Sequence, residues 1–262
     1  GFVKWLLIGV SIVFLIVMLV LPLVYVIYTA LREGWKVFVS SVTDEYAVKS
    51  IFLTVKVTVI TVIINSVFGI FAAWLITRFK FRGKKLISTL IDLPLTISPI
   101  IAGLIFVLTF GRQSVIYPFL EKWGIQIIFA VPGIVLATIF VTFPFISREI
   151  IPVLTVKGTD EEEAAALMGA NGFQIFTQIT FPHIRWAFLY GVVLCSARAM
   201  GEFGAVSVLS GHLRGITNTM PLYIELLYQA FDFTGAFAMS AILVVMALVI
   251  LVLKNIFEKS ME

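Results

Sequence analysis

Long apolar runs, separated by shorter polar segments, dominate the hydropathy pattern of the chain. Each run has close to the roughly 20 residues that an α-helix needs to cross about 30 Å of hydrocarbon. A membrane β-barrel would instead show alternating segments of about ten residues, which the sequence lacks. The pattern therefore predicts an all-α integral membrane protein with six transmembrane helices, at residues 5–29, 53–77, 86–110, 126–147, 187–209 and 236–253.

The composition agrees with this pattern. Hydrophobic residues make up 60% of the chain and charged residues 13%, whereas a soluble domain has about 25% charged residues. A soluble enzyme of this length would lack the polar surface needed to cover its apolar core. The first run is longer than the apolar core of a signal peptide, so we expect it to be a retained span.

The distribution of lysine and arginine predicts the orientation. The loop between the second and third predicted spans, residues 78–85, is basic and contains no acidic residue. By the positive-inside rule this face is cytoplasmic, which also places both termini in the cytoplasm. The basic residues on this face are Lys4, Arg78, Lys80, Arg82, Lys84, Lys85, Arg148, Lys157, Arg185, Lys254 and Lys259.

Two prolines and several hydroxyl groups fall within one predicted span, at residues 92–99. Because proline removes a backbone donor, it kinks or breaks a helix. One interpretation is the ordinary tolerance of membrane helices for proline, and the other is a broken helix that lines a transport pathway. Ser98 is a candidate residue of such a pathway. The short segment 220–230 is predicted to be a helix at the outer membrane interface.

A polar loop, residues 148–185, lies between the fourth and fifth predicted spans. The pattern Thr159-x-x-Glu162 predicts a capping box at the start of a first short helix, which Gly169 ends. Asn171-x-x-Gln174 predicts the cap of a second short helix, and this helix must end before Pro182. We therefore expect two short helices at an angle beneath the membrane.

Two interpretations of this helix pair remain open. It is acidic at Asp160, Glu161, Glu162 and Glu163 and has no basic residue over 158–182, which argues against binding to DNA phosphates. The first interpretation is a solvated loop, and the second is a docking element whose small residues admit a partner surface and whose aromatic residues anchor it. The residues of such an element are Ala164, Ala165, Gly169, Ala170, Gly172, Phe173 and Phe176.

Four ionisable residues fall within predicted spans, where charge is costly. Arg198 and Glu202 are one turn apart and can pair. They either neutralise each other and hold the bundle, or Arg198 faces a translocation path and Glu202 positions it. Lys56 is expected to extend toward the outer interface. Asp92 is expected to cap the helix break or to pair with a basic residue of another subunit.

No catalytic or metal-binding pattern is present in the sequence. His183 and His212 are far apart, Cys195 is the single cysteine, and no Walker-type nucleotide motif occurs. A membrane-embedded enzyme is therefore disfavoured. If the protein moves a solute at the expense of ATP, another chain must bind the nucleotide.

One composite motif resembles a known family. Residues Glu163-Ala164-Ala165, Gly169 after three residues, and 179–182 (ITFP) after nine more match the EAA loop of ABC importer permeases, with Phe181 in place of the usual leucine. Further blocks resemble the sulfate/thiosulfate permeases of that family, at residues 73–85, 92–104, 132–153 and 185–211. The resemblance implies a single type I ABC importer transmembrane domain over residues 1–262, in a bacterial inner membrane.

The resemblance also implies a mechanism and partners. The loop is the family's coupling helix, which contacts an ATPase; its residues here are Glu163, Ala164, Ala165, Leu167, Gly169, Phe173 and Pro182. The implied partners are a CysT-like sister permease, a CysA-like ATPase dimer that binds ATP and Mg, and a periplasmic sulfate-binding protein. Arg198, Glu202 and Ser98 are the candidate path residues. The alternatives are a permease for molybdate or tungstate, and an ion-coupled secondary transporter.

Overall fold

The computed structural model describes the backbone of residues 2–259 and the side chains of residues 3–253 and 255. The side chains of Lys254 and Lys259, used above for the orientation, lie outside this set. The described chain is helical, with two π-helical turns and connecting loops. Its α-helices are α1 (Phe2–Leu15), α2 (Leu21–Leu31), α3 (Trp35–Thr43), α4 (Glu45–Arg78), α5 (Lys84–Thr96), α6 (Pro99–Phe110), α7 (Tyr117–Lys122), α8 (Val131–Thr142), α9 (Pro144–Lys157), α10 (Asp160–Leu167), α11 (Gly172–Ile175), α12 (Phe181–Met200), α13 (Gly204–Leu209), α14 (Met220–Gln229) and α15 (Phe233–Lys259).

Four helical stretches among the described residues are long and apolar enough to cross a membrane, and a bent pair of helices makes a possible fifth. The six predicted spans are therefore not confirmed as a set. The predicted span 187–209 is not among these four stretches: residues 201–203 interrupt it, and the 20-residue α12 is long enough but not apolar enough. Arg185 and Arg198 also make α12 less apolar than a typical span. The four stretches are Val3–Leu31, Glu45–Arg78, Val131–Lys157 and Phe233–Leu253.

The predicted span 86–110 is not one straight helix. Helices α5 and α6 meet at an angle of 110°, so the helix break proposed for residues 92–99 is confirmed, while its role in lining a pathway stays a prediction. Proline restricts the residue before it to an extended conformation, and Ser98, which precedes Pro99, has φ −57° and ψ 132°. Pro94 remains inside α5, so the second proline is the one at which the helix breaks.

The helix that corresponds to the fourth predicted span, 126–147, also differs from the predicted bounds. It begins at Val131 and continues to Lys157, so part of the predicted polar loop is helical. The segment before it is irregular, because Phe129 has a positive φ of 58° and donates its backbone N–H to the Leu209 carbonyl. The helix then starts with Pro132 in its first turn, a position that tolerates the missing donor.

The second short helix of the polar loop 148–185 does not end before Pro182, contrary to the sequence-based prediction. Helix α11 continues through a π-helical turn, Phe176–Thr180, directly into α12. In this turn the Phe181 N–H bonds the Phe176 carbonyl, five residues back. The wider π turn changes the position of the preceding carbonyls, with which a proline ring clashes in a regular helix. Pro182 can therefore lie in the first turn of α12 without ending the helix.

Three helices approach closely around Ile146, which is fully buried. A Cβ atom added to Gly191 of α12 would lie 2.9 Å from the Ile146 Cα, and one added to Gly69 of α4 would lie 2.9 Å from the Ile146 Cγ2. Small residues allow membrane helices to pack with their backbones in near contact. The helices α4, α9 and α12 thus form the tight centre of the fold.

Helix α14 confirms the helix predicted at 220–230, but its apolar face is buried within the chain. Met220, Tyr223 and Leu227 pack with Ala47 of α4 and Met239 of α15. Because these side chains already have protein neighbours, they do not provide an apolar face for insertion into the outer membrane interface.

Candidate functional site

Helix α10 carries an acidic first turn at one end of the bundle. Asp160, Glu161, Glu162 and Glu163 lie where the helix dipole favours negative charge. The predicted capping box between Thr159 and Glu162 does not form. Instead, the Thr159 hydroxyl donates to Glu163 Oε1 over 2.7 Å. The local pattern was correct for a helix start, but Glu162 has a stronger partner elsewhere.

That partner is Arg78, the last residue of α4. Arg78 Nε lies 2.8 Å from Glu162 Oε2, and Arg78 Nη2 donates to Glu162 Oε1 over 2.9 Å. The Thr180 hydroxyl donates to the same Oε1 over 2.8 Å, and Arg78 Nη1 donates to the Leu154 carbonyl over 3.0 Å. The Nη2–Oε1 contact is a charge-assisted hydrogen bond, which is stronger than one between neutral groups, whereas Nε makes a close ion-pair contact with Oε2 without hydrogen-bond geometry. We call Arg78, Glu162, Thr180 and the Leu154 carbonyl the Arg78 cluster.

A second, more exposed polar contact joins α10 to α12. His183 Nε2 lies 2.8 Å from Glu161 Oε2. The hydrogen bond from His183 lowers the pKa of the Glu161 carboxyl, because it stabilises the charged form. Both pairs connect the acidic turn of α10 with helices that lead into the bundle.

The turn between α10 and α11 follows the sequence prediction. Gly169 has φ 90°, and α10 ends just before it at Leu167. Asn171 Oδ1 accepts the Gln174 N–H and Gln174 Oε1 accepts the Asn171 N–H, each over 2.9 Å. The predicted cap is therefore a complete capping box. It fixes the angle at which α11 leaves the turn.

Large apolar side chains project into solvent at this turn. Leu167 is 90% exposed, Met168 83% and Phe173 77%. Ala164, Gly169 and Pro182 are also exposed, whereas Ala165 is buried. Such apolar exposure is unfavourable in water unless a partner covers it. The surface formed by Leu167, Met168 and Phe173 is hereafter called the apolar elbow.

Phe176, a candidate anchor from the sequence, instead packs within its own chain. Its ring centroid lies 6.3 Å from that of Trp74 on α4 and 6.0 Å from that of Phe181. The aromatic contacts fix the π turn against α4. Only Phe173, of these two phenylalanines, belongs to the exposed surface.

The candidate path residues form a separate group at the end of α12. Arg198 Nη1 lies 2.6 Å from Glu202 Oε2, and the Glu202 side chain is only 1% exposed. Glu202 Oε1 also accepts the Ala205 N–H over 2.9 Å, in the first turn of α13. The pair therefore spans the break between α12 and α13. The Arg198 side chain remains 34% exposed.

Asp92 and Ser98 are not joined to this pair. Asp92 Oδ1 lies 3.0 Å from Arg148 Nε on α9. The partner of Asp92 therefore belongs to the same chain, and the two roles predicted for Asp92, a cap on the helix break and a pair with another subunit, are not needed to explain its position. Ser98 is exposed at the start of α6, and its side chain does not cap that helix. Lys56 is exposed on α4.

Among the described side chains, residues 3–253 and 255, no three from His, Cys, Asp or Glu come together in a way that could hold a metal ion. Cys195 is buried and free, at 3.7 Å from Asn65 Nδ2. The arrangement has the features of a mechanical contact: a rigid acidic helix with an exposed apolar turn, attached to the bundle by ion pairs.

Comparison with known proteins yields consistent matches. The pattern of the family described as "Binding-protein-dependent transport system inner membrane component" matches residues 65–262. The sulfate transport system permease protein CysW of Escherichia coli K12 is 45% identical over 259 residues, which cover 99% of this chain and 89% of that protein. CysW of Synechocystis sp. PCC 6803 is 46% identical over 257 residues, 98% of this chain and 93% of that protein.

A solved structure shares the fold. A chain of a bacterial alginate ABC transporter, crystallised with a periplasmic protein bound to an alginate pentasaccharide, superposes with a TM-score of 0.82. The match covers 97% of this chain and 93% of that chain at 20% sequence identity. At this identity the likeness concerns the fold alone.

Proposed function

The chain belongs to the family of binding-protein-dependent transport system inner membrane components, and we propose that it is the permease subunit of an ABC importer for sulfate and thiosulfate. The observation that carries this proposal is the identity of 45% to a sulfate permease over 99% of the chain. Because these relatives are sulfate permeases, they do not support the alternative of a molybdate or tungstate permease or that of an ion-coupled secondary transporter. The subunit is non-catalytic, and ATP hydrolysis occurs in a partner ATPase.

Sulfate import requires an energy source. Sulfate carries two negative charges into a cell whose interior is negative, and each charge costs about 2.3 kcal/mol per 100 mV of potential. A passive pore would let sulfate flow out of the cell, down its electrical gradient. Coupling to ATP and Mg bound by the partner ATPase overcomes this cost, and the permease itself needs no cofactor.

The apolar elbow is the proposed contact with that ATPase. Leu167 and Phe173 are exposed apolar side chains of the kind that anchor protein interfaces. Ala164 and Gly169 allow a partner surface to approach closely, while Glu163 and Pro182 complete the coupling segment. Ala165 contributes from inside, because it is buried where α10 meets its own chain.

The proposed complex contains this permease, a CysT-like sister permease, a CysA-like ATPase dimer and a periplasmic sulfate-binding protein. We propose six crossings, with α5–α6 as the third and α12 as the fifth. The 20 residues of α12 have a length of about 30 Å, enough to cross the hydrocarbon. Both termini are then cytoplasmic, on the side of the basic loop 78–85. Arg198, Glu202 and Ser98 are the proposed path residues.

The substrate assignment is tested with the reconstituted complex in proteoliposomes. ATP hydrolysis is measured with binding protein loaded with sulfate, thiosulfate, molybdate or nothing. We expect sulfate and thiosulfate to stimulate hydrolysis. If only molybdate-loaded binding protein stimulates ATP hydrolysis, the substrate assignment is wrong but the coupling to the ATPase stands. If loaded binding protein does not change the rate of ATP hydrolysis, the importer assignment is wrong.

A further inference from the structure

Four structural elements meet at the Arg78 cluster. Arg78 ends α4, the Leu154 carbonyl belongs to α9, Glu162 belongs to α10, and Thr180 ends the π turn that leads into α12. All of the contacts are between 2.8 and 3.0 Å. The Arg78 guanidinium thus joins α4 to α9 and α10, and the Glu162 carboxylate joins α10 to the π turn that leads into α12.

The other attachments of α10 to the bundle are weak. Ala165 is the one buried residue of α10, and the helix packs against the short α11 and the π turn. The Glu161–His183 pair is open to solvent, with 64% of the Glu161 side chain exposed. Exposed pairs of this kind contribute little to stability. Glu162 is therefore the main polar link between α10 and α4.

Burial makes this link rigid. The side chains of Arg78 and Glu162 are 9% and 15% exposed, so water competes poorly for their hydrogen bonds. The hydrogen bond from Arg78 Nη2 to Glu162 Oε1 fixes direction as well as distance, and Nε lies within ion-pair distance of Oε2. Removing either partner leaves the other charge in a poorly hydrated place. The geometry resists small displacements of α10 relative to α4.

We infer that the Arg78–Glu162 pair is the joint that carries the movement of α10 into the membrane helices, with Arg78 as a positioning residue for energy coupling. This inference rests on the proposed function. It goes beyond the apolar elbow, because the elbow contacts the ATPase whereas the joint transmits the resulting motion. A broken joint leaves the ATPase bound and active, while less of its motion reaches α4 and α12.

The test compares four variants of the full complex, reconstituted with sulfate-binding protein. They are Arg78→Gln, Glu162→Gln, the exchanged pair Arg78→Glu with Glu162→Arg, and the control Arg82→Gln. Arg82 is a matched control because it is an exposed arginine on the same cytoplasmic loop. For each variant, the sulfate transported per ATP hydrolysed is measured, together with crosslinking of a cysteine at position 167 to the ATPase.

We expect Arg78→Gln and Glu162→Gln to lower the sulfate-to-ATP ratio roughly tenfold, within the usual range of coupling between sites, while crosslinking persists. The exchanged pair recovers part of the ratio, and Arg82→Gln keeps the wild-type ratio. A purely structural role would reduce transport, hydrolysis and crosslinking together and leave the ratio unchanged.

A wild-type ratio in Arg78→Gln overturns the inference. If that variant fails to assemble, Glu162→Gln decides, because it keeps the side-chain shape while it removes the charge and replaces one acceptor oxygen with an amide donor. A wild-type ratio in Glu162→Gln also overturns the inference. A wild-type complex without ATP-driven uptake overturns the proposed function itself, and this inference with it.

Discussion

Glu202 combines two roles that are normally separate. Its carboxylate pairs with Arg198 and also accepts the Ala205 N–H at the start of α13. A carboxylate at a helix start satisfies a free backbone donor and interacts well with the helix dipole. The residue that holds the break between α12 and α13 therefore also fixes the position of Arg198, whose side chain is one-third exposed.

Replacement of Arg198 by glutamine separates a structural role from a role in transport. We expect Arg198→Gln to abolish sulfate uptake with the complex still assembled, and to lower the free energy of unfolding by about 3 kcal/mol because buried Glu202 loses its partner. The double variant Arg198→Gln/Glu202→Gln removes that unpaired charge. It should recover stability, measured by thermal unfolding in detergent, but not uptake. Normal uptake in either variant would contradict a path role for Arg198.

Contacts within one or two helical turns were predictable from sequence, and contacts between distant segments were not. The Asn171–Gln174 capping box and the Arg198–Glu202 pair both follow from local spacing. Arg78 and Glu162 lie 84 positions apart, so no local pattern connects them. The only signal was charge complementarity between a basic helix end and an acidic turn. The same long-range contact explains why the capping box predicted from Thr159 and Glu162 did not form.

Among the secondary-structure elements, proline had three different effects. Pro99 breaks a helix by 110°, Pro94 remains inside α5, and Pro182 follows a π turn that keeps the helix continuous. A similar π turn, Ile16–Val20, precedes Pro22. Sequence spacing predicted the break but not the two π turns, because these depend on how the neighbouring carbonyls adjust. Boundaries at prolines were therefore the least predictable part of the fold.

The close packing of α9 and α12 leads to a prediction for Gly191. An added Cβ would lie 2.9 Å from the Ile146 Cα, which is backbone and cannot rotate away. We expect Gly191→Ala to lower the free energy of unfolding by about 1–3 kcal/mol, the usual cost of overpacking. Gly172→Ala is the matched control, because nothing lies within 4 Å of its added Cβ. Thermal unfolding in detergent measures both, and a Gly191→Ala protein as stable as the control would refute the close approach.

At the scale of the whole molecule, the described structure divides into a bundle and an attached segment that contains α10 and α11. The bundle is tight around Ile146, where α4, α9 and α12 meet. The same three helices lead to the Arg78 cluster, which attaches α10. A displacement of α10 therefore acts on helices that are already packed together. This arrangement suits a subunit that is moved by another protein.

Sequence analysis correctly anticipated the all-α membrane architecture, because apolar runs and a scarcity of charge follow directly from the bilayer as solvent. It did not yield the correct extents of the third, fourth and fifth spans. Those extents depend on the breaks at Ser98 and at residues 201–203, and on the irregular backbone at Phe129. The irregular backbone at Phe129 is held by a contact between distant segments, the Phe129–Leu209 hydrogen bond, whereas Glu202 holds the break at 201–203 through nearby Arg198 and Ala205.

The central claim is that the apolar elbow contacts an ATPase, and crosslinking at position 167 tests it most directly. Leu167→Cys is introduced into a Cys195→Ser background and coexpressed with the ATPase and the sister permease. Val115→Cys is the control, because Val115 is similarly exposed, at 98%, but lies on the loop after α6 that we assign to the outer face. We predict an adduct between residue 167 and the ATPase during turnover, and none from residue 115. No adduct from residue 167 in any nucleotide state would contradict the account.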